Sequence, residues 1–126
     1  MTPVILALIV LSVALSAGAQ ILLKIGMSSA PVLSALDGPP SFTATVTALA
    51  TAPQILLGGL SFGLSFLVWL FVLARMDVSH AYPCTALGIV MTVIAGHLAL
   101  AEPIPFSRIA GMILILVGVS TVALGR

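Results

Sequence analysis

The sequence predicts an all-α membrane protein with four transmembrane helices, and three observations carry that prediction. First, 61% of the 126 residues are hydrophobic and 6% are charged, where soluble domains carry roughly 25% charged residues. A chain this short leaves a large share of its surface exposed on folding, so apolar residues in this proportion call for lipid as the solvent. Second, four apolar runs, over residues 3–26, 53–75, 79–101 and 107–125, each reach the ~20 residues that a helix needs to cross a bilayer. Third, the runs are continuous rather than alternating, which points to helices that satisfy their own backbone groups and not to barrel strands. Together they make one four-helix domain over residues 1–126, with a loop over 28–52.

The first run has a rival reading. Residues 1–19 resemble a signal peptide ending in Ala17, Gly18 and Ala19. No Lys or Arg precedes the apolar core, however, and the run continues through Ile21, Leu22 and Leu23, so a retained helix is expected. On that helix Ser12, Ser16, Ala19 and Gln20 recur at helical spacing and form one small, polar stripe. Such a stripe faces other helices or a cavity rather than lipid. Lys24 continues it one turn beyond Gln20. The lysine either snorkels to the interface or lines a polar cavity, where it can hold a phosphate or carboxylate, and the stripe favours the cavity.

Pro31, Gly38, Pro39 and Pro40 break the stretch over 28–52, and Ser41 can cap a short helix running to Ala52 along the membrane surface. The second run carries Gly59 and Gly63, a spacing that lets helices approach closely. Trp69 sits in its middle, facing a cavity or a neighbouring helix. Arg75, Met76, Asp77 and Val78 leave room only for a tight turn, so the second and third helices form an antiparallel hairpin. Ser79 is the expected N-cap of the third helix, with Tyr82 and Pro83 in its first turn. An earlier start would turn Pro83 into a kink. Tyr82 is either an interfacial anchor or a cavity-facing hydroxyl.

His97 lies within the third helix, as a satisfied packing residue or as a ligand for a proton or substrate. Glu102-Pro103-Ile104-Pro105 ends that helix. A glutamate there opposes the helix dipole and calls for a cationic partner. Ser107 can cap the fourth helix, on which Gly111 and Gly118 share a face suited to close packing.

Charges are few: Lys24, Asp37, Arg75, Asp77, Glu102, Arg108 and Arg126. No basic run supports nucleic-acid binding. Lone Cys84 excludes an internal disulfide and reads as a small packing residue. Metal-ligand spacing, a nucleotide loop and a nucleophile triad are all missing, so neither a cofactor nor enzymatic chemistry is expected. Four crossings put both termini and the Arg75–Val78 turn on one face. The other face receives Lys24, His97, Glu102 and Arg108, where a Lys24–Glu102 pair is geometrically allowed. Positive-inside counting sets Arg75 and Arg126 against Lys24 and Arg108. With Lys24 withdrawn into a cavity, the termini fall in the cytoplasm.

LSAGAQILLKIGM (Leu15–Met27), LVWLFVLARMDVSHAYP (Leu67–Pro83) and AEPIPFSRIAGMILILVGV (Ala101–Val119) resemble the drug/metabolite transporter superfamily. The resemblance is nearest to its small EamA-like subunits, which flip aminoarabinose-modified undecaprenyl phosphate across the bacterial inner membrane. It covers nearly all of the chain outside 28–52. It implies a small multidrug-resistance-like bundle, a multi-pass place in the inner membrane, and pairing with a similar four-helix subunit, identical or not. The small multidrug resistance exporters of the same superfamily exchange protons for cations at a glutamate in the first helix. Aligning Lys24 with their first-helix lysine puts Ser16 where that glutamate belongs, and this first helix holds no acidic residue. The departure argues against cation export and suits an anionic substrate.

The expected mechanism therefore has no covalent step. Lys24 holds the phosphate of a polyprenyl-phosphate-linked sugar, while Ser16, Gln20 and Tyr82 offer hydrogen bonds and the prenyl tail stays among the membrane lipids. His97 and Glu102 complete the expected binding set. Two subunits, packed through their fourth helices, rock against each other as in inverted-repeat transporters. The alternatives are an exporter of small organic solutes using His97 or Glu102, and a non-transporting accessory subunit of a membrane glycosyltransferase complex.

Overall fold

A computed structural model describes residues 2–125; Arg126, used in the positive-inside count, lies outside them. Seven helices are formed among the described residues: α1 (Pro3–Met27), α2 (Ala30–Asp37), α3 (Phe42–Thr51), α4 (Pro53–Leu73), α5 (Val78–Cys84), α6 (Ala86–Leu100) and α7 (Phe106–Leu124). α1, α4, the α5–α6 pair and α7 are each long and apolar enough to cross a membrane, as the sequence predicts.

α1 is the helix on which the others assemble. Thr2 caps it by accepting the Ile5 N–H at 3.4 Å, and Pro3 opens its first turn, where a missing N–H costs nothing. Along its length α1 packs on α4 and on α6, while α7 packs on α5 and α6. Ile5, Ile9 and Val13 of α1 meet Val72, Ala81 and Cys84 in the core, with Trp69 and Met91 around them. The Cys84 thiol donates to the His80 carbonyl at 3.4 Å.

The close approach of α1 and α4 falls at glycines other than those the spacing singled out. A Cβ on Gly58 would lie 2.9 Å from Leu23 Cγ and 3.2 Å from the Ala19 carbonyl oxygen. Gly26 is closed off in the same way by Ile55. Gly59 and Gly63 have nothing within 4 Å, and neither do Gly111 and Gly118 on α7.

Residues 28–52 hold two helices where one was expected. Ser41 does cap α3, accepting the Ala44 N–H at 3.3 Å. Pro31, read as a breaker, instead sits in the first turn of α2, the position at which its ring is tolerated.

The third span begins earlier than expected. Asp77, not Ser79, is the N-cap residue of α5, and Pro83 therefore falls inside the helix. Without its N–H the ladder cannot continue, and the helix breaks at Thr85. Thr85 mends the break: its N–H donates to the Tyr82 carbonyl at 3.0 Å and its hydroxyl to the same oxygen at 2.6 Å. α7 likewise starts one residue before Ser107, with Pro105 in the N-cap position, because proline's fixed φ suits a helix entry.

Candidate functional site

The α1 stripe meets a second polar stripe across the bundle. Thr85, Gly88 and Thr92 follow one another at helical spacing at the start of the third span's upper part, and Gly88 faces α1. A Cβ on Gly88 would sit 3.5 Å from Val13 Cγ1.

Two cavities lie along this seam. One, of about 380 Å³, is lined by Ser16, Gln20, Thr85, Gly88 and Thr92, with Ile89 and Val93. The other, of about 180 Å³, is lined by Ser12, Ser16, Ser65, Trp69 and Thr85 among its walls. Ser16 and Thr85 belong to both, so the two form one groove, mostly apolar in surface, onto which several hydroxyls and the Gln20 amide open and which carries no charged residue. Gln20 and Ile89 on its rim are exposed, which leaves the groove open at the side.

At its deep end Ser12 and Ser65 tie α1 to α4. The Ser12 hydroxyl donates to the Ser65 carbonyl at 3.0 Å, and the Ser65 hydroxyl donates to the Ser12 carbonyl at 2.7 Å. Both serines are buried, so these bonds satisfy groups that neither water nor lipid can reach.

Of the six residues expected to bind substrate, the structure brings Ser16 and Gln20 into the groove. Lys24 is exposed in the last turn of α1, beyond the groove. α1 and α6 run parallel, and equal rise from the Gly88–Val13 approach sets Lys24 level with Ala99. Tyr82 is 67% exposed and lines neither cavity; its carbonyl serves Thr85.

His97 and Glu102 sit together at the end of α6. Ala101 ends that helix in the left-handed region (φ 53°), with its N–H bonded to the Gly96 carbonyl. The turn brings the Glu102 carbonyl to 2.7 Å from His97 Nδ1, and because a carbonyl only accepts, Nδ1 carries the proton. The Glu102 carboxylate folds over Gly96, with Oε2 3.0 Å from where a Cβ would be. No ion pair joins it to Lys24 among the described residues.

Ser65, Thr85 and Thr92 are groove residues that the sequence reading did not assign. The 85, 88, 92 spacing was available as a signal. The role of Ser65 depends on how α4 is rotated, which its all-round apolar sequence does not reveal.

Residues 5–124 match the model of the EamA-like transporter family. The chain is 40% identical over 80 residues to the probable 4-amino-4-deoxy-L-arabinose-phosphoundecaprenol flippase subunit ArnE of Pseudomonas aeruginosa (strain UCBPP-PA14), covering 64% of this chain and 68% of that one. It is 34% identical over 116 residues to the probable flippase subunit ArnF of Enterobacter sp. (strain 638), covering 90% of each. To ArnF of Erwinia tasmaniensis it is 36% identical over 111 residues, covering 85% of this chain and 84% of that one. No solved structure matches the chain.

Proposed function

Because the chain belongs to the EamA-like transporter family, we propose that it flips a polyprenyl-phosphate-linked sugar, of the amino-sugar kind in its relatives' names, as one subunit of a pair. It is a multi-pass protein of the bacterial inner membrane. The observation that carries the reading is the groove between α1 and α6. The Ser16 and Thr92 hydroxyls and the Gln20 amide, which bond nothing else among the described residues, can replace water around a sugar phosphate during the crossing. The groove holds no fixed charge that would trap the headgroup, and its open side leaves the prenyl tail in lipid.

Lys24, just past the groove, supplies the cation at that face and takes the phosphate as the headgroup arrives or leaves. Glu102 and His97, one helix away at the same face, flank that position. The partner is a similar four-helix subunit. α7 supports this, since a whole spanning helix without one buried residue is available to meet it.

Headgroup translocation in proteoliposomes tests the proposal. A polyprenyl-phosphate sugar is placed in both leaflets and probed with an impermeant reagent, with the chain alone and with any subunit that co-purifies. Fast exposure by the wild type, abolished in folded Lys24→Ala, is the expected result. Translocation that survives Lys24→Ala keeps the function and removes Lys24 from the site. No translocation under either condition rejects the flippase reading.

A further inference from the structure

A second cavity lies at the opposite membrane face from Lys24, under the α4–α5 turn. It measures about 630 Å³, within the ~300–1,000 Å³ typical of small-ligand sites. It is an open depression lined by Thr2 and Ile5 of α1, Leu73 of α4 and the exposed Arg75, Asp77 and His80.

Arg75 and Asp77 share this cavity without pairing to each other among the described residues. One guanidinium N–H of Arg75 reaches back to the Phe71 carbonyl at 3.5 Å, and among the described residues the other donors of its fork make no bond. Asp77 stands in the N-cap position of α5, yet its carboxylate makes no capping bond. A cation and an anion thus face one cavity, two residues apart, each with bonding capacity to spare. That arrangement matches a ligand that is itself a zwitterion.

We propose that this cavity is the second docking site of the transported headgroup, where Arg75 takes the phosphate and Asp77 takes the ammonium of an amine-bearing sugar. The proposal rests on the flippase reading and adds to it a station at the other face. A fork of N–H donors fits phosphate oxygens, and a carboxylate fits an ammonium. His80, one helical turn beyond Asp77, borders the same space and can bond a sugar hydroxyl in either tautomer. The headgroup then meets one set of charge partners at one face and a different set at the other.

The test compares two short-chain polyprenyl phosphates in proteoliposomes: one bearing a 4-amino-4-deoxypentose, the other its N-formyl derivative, which lacks the positive charge. The protein is used as it purifies, with any bound partner subunit. The wild type should move the amine about tenfold faster than the N-formyl compound. Asp77→Asn should lower the amine rate to the N-formyl rate and leave the latter unchanged. Arg75→Gln should slow both compounds about tenfold, with Arg75→Lys recovering part of the loss. Helical circular dichroism and monodisperse elution establish folding, and Arg75→Lys against wild type carries the phosphate arm if Arg75→Gln does not fold. Equal wild-type rates, a preference that persists in Asp77→Asn, or rates untouched at Arg75 each overturn the docking site while the flippase reading stands. A wild type that moves neither compound rejects that reading and the docking site together.

Discussion

Ser12 and Ser65 each donate a hydroxyl proton to the other's backbone carbonyl, at 3.0 Å and 2.7 Å, across the interface of α1 and α4. The exchange needs no third partner. It fixes the rotation of both helices at once, because turning either by one residue parts both bonds. Ser16, one turn along α1, is thereby held toward Thr85 and the groove.

Removing either hydroxyl should loosen this interface modestly. Ser12→Ala and Ser65→Ala are each expected to cost about 0.5–1.5 kcal/mol, the range seen for hydrogen bonds between membrane helices. The double variant should lose about the sum of the two, since each hydroxyl donates to a backbone carbonyl that the other substitution leaves in place. Unfolding in mixed micelles, read as a double-mutant cycle, checks this. A loss well below the sum would show that the two hydroxyls depend on each other.

The glycines of α4 should respond in opposite ways. Gly58→Val drives a side chain into Leu23 and the Ala19 carbonyl and should destabilise by about 1–3 kcal/mol. Gly59→Ala meets open space and should stay within about 0.5 kcal/mol of wild type. The same unfolding assay separates them, and equal effects would contradict the observed rotation of α4.

Thr85→Val keeps the shape of the side chain and removes the hydroxyl that bonds the Tyr82 carbonyl. Thr85 also lines both parts of the groove. Translocation should fall about tenfold, because the headgroup then crosses with one bond unmade. Stability should change by about 1 kcal/mol or less. A loss of stability without a loss of transport would reduce Thr85 to a structural role.

Ala101 carries a left-handed backbone that costs an L-residue about 1–2 kcal/mol. Ala101→Gly relieves that cost against glycine's greater chain entropy, for a net gain of about 0.5–1 kcal/mol. Thermal unfolding in detergent should therefore shift upward. An unchanged midpoint would mean that the turn over Gly96 is held by its hydrogen bonds alone.

The four spans were legible because each apolar run is longer than any soluble helix would leave unbroken. The polar stripe of α1 was legible for a related reason: four small or polar residues at helical spacing stand out against an aliphatic background. Proline was harder to read. Pro31 opens α2 and Pro83 lies inside α5, and which role a proline takes depends on where the helix before it starts. The contact glycine was not legible at all. Gly58, Gly59 and Gly63 differ only in the direction they face, and a helix that is apolar all round gives no sign of its rotation. Ser65 was hidden for the same reason, since its partner lies in another helix.

The place of α1 in the bundle has a consequence for how the protein is made. Chains emerge from synthesis N-terminal end first. α1 enters the membrane before α4 and α6, which then find it already there to pack against. α7, the last to arrive, docks on α5 and α6. Chain order and docking order therefore coincide, and no early helix must wait in lipid for a late one. α7 is also the spanning helix with no buried residue, so biogenesis can assemble these helices first and leave assembly with a second subunit for afterwards.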